Sequence, residues 1–197
     1  MSDTNDILWS EIQDGNELAF KSLYDNYADL LYSYGMLIVS DEERVADAIQ
    51  DLYAYIFEKR TNLSQPNSIK AYLMVSLKRL LLNQSKSKSF YTSFLSLSTL
   101  CRKSYDFYLD VDYQTEQEQA DFEEQQIKSL QEGLNSLKSK QREMLYLKYY
   151  KGLSTEEIAE VMEVSHSVVY ATIKRGIAKL RQKSCLSLIL LFPLLCL

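Results

Sequence analysis

The side chains of this chain best suited to chemistry lie between Ser165 and Arg175, and the chemistry they suit is noncovalent. On a helical wheel at about 100° per residue, Ser167, Ala171, Lys174, Arg175 and Ala178 fall opposite the apolar Val169, Ile173, Ile177 and Leu180. A face of small and basic residues fits a DNA groove: short side chains let the backbone approach base edges, while Lys and Arg meet phosphates. His166 and Tyr170 stand at the margin of that face, within reach of bases. Just upstream, Ile158, Met162 and Val164 are apolar where a preceding helix must pack, and Ala159 is small where the two would cross, so the spacing is that of a helix-turn-helix. Ser165 is placed to cap the second helix, and Glu163 occupies a turn position where glycine is usual, at a cost if its φ is positive. The periodicity alone also fits an amphipathic hairpin that merely exposes Lys and Arg to water.

Covalent chemistry has much less to work with. The chain has one histidine and no G-x-x-x-x-G-K-[ST] segment, and its three cysteines, Cys101, Cys185 and Cys196, lack metal-site spacing. A nucleophile and base pair would need unusual partners, so no enzymatic activity, metal or cofactor is expected.

The 197 residues are 46% hydrophobic and 25% charged, enough for a core, and the 5 glycines and 2 prolines are too few for many short strands. The net charge of −5 is unevenly spread: residues 1–95 hold 9 Lys/Arg against 13 Asp/Glu, residues 96–126 hold 2 against 8, and residues 127–197 hold 11 against 6. The last third is therefore basic, as a DNA-binding segment requires. The odd cysteine count and the absence of a secretory pattern at the first residues point to the cytoplasm.

Helical spacing recurs through the first 85 residues. Phe20, Leu23, Tyr24, Tyr27, Leu30, Leu31 and Tyr34 form one stripe, and Val45, Ala48, Ile49, Leu52, Tyr53, Ile56 and Phe57 a second that follows a cap at Ser40–Asp41 and stops near Arg60. Residues 61–67 hold turn-formers, and another helix follows from Ser68. The chain then turns Ser/Lys-rich and afterwards acidic and Gln-rich, the signature of a linker. Periodicity resumes at Ile127 and Gly152 stands where a helix end takes positive φ. The expected fold is all-α, two small helical domains joined by a flexible acidic linker: 1–90, linker 91–125, 126–183, and an apolar tail 184–197.

The run from Ser139 to Ser165, continued by Val168-Val169-Tyr170 and by Lys174 to Arg181, resembles domain four of bacterial sigma factors, which binds the −35 promoter element. Ala19 to Tyr24 and Asp47 to Tyr53 resemble domain two of the same family, which binds the −10 element. The two in this order, with a short linker and little else, are similar to the extracytoplasmic-function (ECF) subfamily of the sigma-70 family. That resemblance implies a promoter-specificity subunit whose partners are core RNA polymerase, promoter DNA and, as a further candidate, an anti-sigma factor. It implies −35 contacts from His166, Ser167, Tyr170, Ala171, Lys174 and Arg175. It implies −10 contacts, including capture of a flipped base, from Asn62, Gln65, Asn67, Tyr72, Lys78, Arg79 and Asn83. Asp47, with Gln50 and Asp51 three and four positions further on, would meet polymerase. The sequence departs from the family pattern at Val75, where many members have Arg, and at Tyr170 and Thr172, which replace commonly basic residues. Tyr53 and Tyr55 are expected to pack rather than melt DNA.

The tail, CLSLILLFPLLCL from Cys185, would reach about 20 Å as a helix against a hydrocarbon core of about 30 Å, too short to span. Local packing or an inhibitory partner is preferred for it over membrane contact. The alternative function is a helix-turn-helix regulator that acts without polymerase.

Overall fold

In the computed structural model, residues 2–82, 105–109 and 120–182 are described, and all of their regular structure is helical. Asn83, most of the linker, the tail 184–197 and the three cysteines lie outside the described residues. The chain divides into two compact units, Met1–Tyr105 and Asp106–Leu197.

In the first unit, α1 (Ser2–Gln13) ends at Gly15, whose φ of +86° lets the chain reverse. Asn16 then caps α2 (Glu17–Val39), its side-chain oxygen accepting the Leu18 N–H at 3.0 Å. Asp41 caps α3 (Glu42–Lys59) by accepting the Arg44 N–H at 3.1 Å, with Glu42 and Glu43 complementing the positive end of the helix. A 3-10 turn, Arg60–Asn62, and an extended loop lead to α4 (Ile69–Leu82). Helices α2, α3 and α4 pack on one another around Leu23, Leu31, Val45, Leu52, Ile56, Leu73 and Leu77, with α1 laid on α2. Gly35 allows a close approach of α2 to α3: a Cβ there would stand 2.8 Å from Val45 Cγ1. The Arg44 guanidinium ties α3 to the end of α4 by donating to the Leu81 carbonyl.

The second unit holds α5 (Ala120–Asn135), α6 (Ser139–Leu145) running into a π-helical turn at Tyr146–Tyr150, then α7 (Thr155–Met162) and α8 (His166–Gln182). Ser154 and Glu157 form a reciprocal cap on α7: the Ser154 hydroxyl accepts the Glu157 N–H at 3.1 Å, and Glu157 Oε2 accepts the Ser154 N–H at 2.7 Å. Glu163 closes α7 in the left-handed region at φ +51°, the strained value anticipated if a non-glycine residue made this turn. Helix α8 is the hub, packing on α5, α6 and α7.

Candidate nucleic-acid interface

The turn at Glu163 decides which side of α8 is buried. Val169, Ile173, Gly176 and Leu180 face inward, spaced four, three and four apart. The wheel placed Ile177 on that stripe, but Ile177 is half-exposed and its neighbour Gly176 takes the buried place, because α8 passes so close to α6 that a Cβ there would meet Leu145 Cδ1 at 3.2 Å. Opposite, His166, Ser167, Tyr170, Lys174 and Arg175 are exposed, and Ala171 is half-buried between them. The expected −35 residues thus share one outward face of a single rigid element.

Several of these side chains already have partners. His166 Nε2 lies 3.1 Å from Glu156 Oε1 on α7. The Glu156 carboxyl is held below its ordinary range by its own backbone N–H and the Ser154 hydroxyl, with His166 and Lys148 adding to the effect. The Ser165 and Ser167 hydroxyls are 3.0 Å apart, so each serves the other. Arg175 Nε donates to the Ala171 carbonyl at 3.1 Å, which lays the guanidinium along its own helix.

In the first unit, Asn62, Gln65 and Asn67 are exposed on the segment between α3 and α4. Tyr72, half-buried on α4, meets the Trp9 ring edge-on with centroids 5.4 Å apart, and burial pushes its hydroxyl up to about 12. Arg79 is half-exposed, two turns beyond Tyr72. Lys78 is 5% exposed, with its ammonium 5.1 Å from the centre of the Tyr105 ring. A phosphate could reach that ammonium only after Tyr105 moved aside.

Asp47, Gln50 and Asp51 are all exposed on α3. Gln50 also borders an open groove of about 640 Å³ between α2 and α3, where Phe20, Tyr24, Tyr32 and Phe57 supply aromatic surface. Tyr53 packs under it, 4.9 Å from Tyr24 and 6.1 Å from Phe20, its hydroxyl donating to the Leu23 carbonyl at 3.4 Å. Burial raises the Tyr53 hydroxyl far above its ordinary range, in keeping with a packing role.

With this geometry in view, the comparisons with known proteins become informative. Residues 127–180, which contain the helix-turn-helix, match the family model of sigma-70 region 4. The chain is 22% identical over 166 residues to the ECF RNA polymerase sigma factor SigX of Bacillus subtilis (strain 168), covering 84% of each. Both likenesses point the same way, to the sigma-70 family and its extracytoplasmic-function branch. In fold, this chain is similar to CnrH, solved in complex with the cytosolic domain of CnrY: TM-score 0.55 at 19% identity, over 89% of this chain and 94% of that one. Among the described residues, no helix is long and apolar enough to cross a membrane.

Sequence reasoning passed over α1. Asp6, Trp9 and Gln13 lie along it at spacings of three and four, and each touches the loop between α3 and α4 or α4 itself. The available signal was Trp9 itself, the chain's one tryptophan, three residues before the apolar Ile12.

Proposed function

We propose that this chain recruits core RNA polymerase to specific promoters and helps to melt their −10 region. The outward face of α8 carries the proposal: a helix-turn-helix whose second helix presents His166, Ser167, Tyr170, Lys174 and Arg175 together on the side away from its packing partners. On this reading α8 enters the major groove of the −35 duplex, with Lys174 and Arg175 on phosphates and the smaller side chains at base edges.

Asn62, Gln65, Asn67, Tyr72, Arg79 and Asn83 hold the unpaired −10 strand, and Lys78 joins them once Tyr105 has moved aside. A flipped base costs a few kcal/mol of lost stacking, offset by stacking on a protein ring and by edge hydrogen bonds. Asp47, Gln50 and Asp51 offer carboxylates and an amide to an Arg-bearing surface of core polymerase. The protein acts in the cytoplasm, and an anti-sigma factor that holds it inactive is a further proposed partner.

Run-off transcription with cognate core polymerase tests this. The wild-type chain should direct initiation from its promoter, whereas Asp47→Lys combined with Asp51→Lys should abolish it without unfolding the protein, both side chains being exposed. A free chain that binds a specific duplex tightly, yet leaves initiation unchanged, would replace this reading with that of a regulator independent of polymerase.

A further inference from the structure

Helix α1 carries none of the residues assigned above to DNA, yet it holds the −10 loop at two points. Gln13 Nε2 donates to the Leu63 carbonyl at 2.6 Å, and Gln65 Nε2 donates to Asp6 Oδ1 at 2.8 Å. Between them Trp9, buried at 1% exposure, packs edge-on against Tyr72 of α4. Positions 6, 9 and 13 share one face of α1, so a single rigid helix braces both the loop and an aromatic residue of the proposed single-strand site.

The Asp6–Gln65 bond fixes which way the Gln65 amide faces. An ionised carboxylate only accepts hydrogen bonds. Gln65 must therefore turn its amide nitrogen toward Asp6, because the reversed amide would set Oε1 against Oδ1. One amide hydrogen is consumed, and Oε1 is left for an incoming group.

We propose that Asp6 is a positioning residue that locks the Gln65 amide so that its carbonyl oxygen selects, at the flipped −10 position, a base bearing an amino group over thymine. Adenine N6, cytosine N4 and guanine N2 each donate to such an oxygen, whereas thymine offers one imino hydrogen flanked by two carbonyls. The proposal rests on the −10 reading of this loop. Without Asp6 the amide is free to rotate by half a turn and offer donor or acceptor alike, and discrimination is lost while binding remains.

The test uses the full-length chain in complex with core polymerase and a randomised single-stranded DNA pool, with the retained sequences read out. The wild type should prefer amino-bearing bases over thymine at one position by about fivefold, the worth of one hydrogen bond. Asp6→Asn, nearly isosteric and able either to accept or to donate, should bring that ratio close to one and leave the other positions and the total DNA retained unchanged. Asp6→Glu, still an acceptor only, should keep the preference. If Asp6→Asn retains the preference, or weakens every sequence alike, Asp6 merely braces the loop and the proposal is overturned. Gln65→Ala separates the two levels of the argument. If it erases the preference and Asp6→Asn does not, the loop reads the base and only the role of Asp6 falls; if it leaves the profile untouched, the reading by Gln65 falls and takes the proposal with it.

Discussion

Gly35 provides the sharpest test of how α3, which carries Asp47, Gln50 and Asp51, is held. It lies in the middle of α2, where replacing glycine by alanine ordinarily favours the helix by about 1 kcal/mol. Here the new Cβ would stand 2.8 Å from Val45 Cγ1, 3.1 Å from Val45 Cγ2 and 3.3 Å from Leu81 Cδ1. Val45 is fully buried, and as a β-branched residue within α3 it has essentially one rotamer, so it cannot swing away. Overpacking of this kind costs about 1–3 kcal/mol. The net expectation for Gly35→Ala is therefore a loss of about 1 kcal/mol, opposite in sign to helix propensity. Val45→Ala alone should cost about 2 kcal/mol by leaving a cavity. Combined, the two should cost less than their sum by about 1 kcal/mol, because the new methyl occupies space that the old ones vacate. Urea unfolding followed by fluorescence reads this directly, since the chain's one tryptophan, Trp9, is buried in the same unit. A raised urea midpoint for Gly35→Ala, or strict additivity with Val45→Ala, would refute the close-packing argument.

Two further outcomes follow from the same geometry. Tyr72 ionises near 10 when unfolded and near 12 when folded, so the native state keeps a proton that the unfolded state gives up; stability is full below pH 10 and declines as pH rises from 10 towards 12. The urea midpoint of the first unit should fall between pH 9 and pH 11, and less so in Tyr72→Phe; equal slopes for the two proteins would show that Tyr72 is not the group responsible. On the DNA side, Lys174→Ala should weaken promoter binding by the polymerase complex and reduce the slope of log affinity against log salt by about 0.9, one phosphate contact. An unchanged slope would remove Lys174 from the phosphate-contacting set.

What the sequence determined by itself was local. The cap at Asp41, the reciprocal Ser154–Glu157 cap, the turn at Gly152 and the helix-turn-helix periodicity each involve residues within a few positions of one another, and such interactions are written in adjacent letters. The outward residues of α8 were legible for the same reason, since a period of 3.6 separates two faces of a helix without any tertiary knowledge. Which residue completes the buried stripe was not: Gly176 displaces Ile177 because Leu145, 31 positions before Gly176, presses against the helix there. Lys78 reads in sequence as an ordinary basic residue, and only the fold places it under the ring of Tyr105. The bond from Gln65 to Asp6 spans 59 positions, and that from Arg44 to the Leu81 carbonyl spans 37. Nothing in the spacing of such pairs announces them. Their partners are chosen by the way four helices stack, and that stacking follows from the burial of Leu23, Leu52 and Leu73 together, a non-directional force that brings distant polar groups within reach without specifying them in the chain.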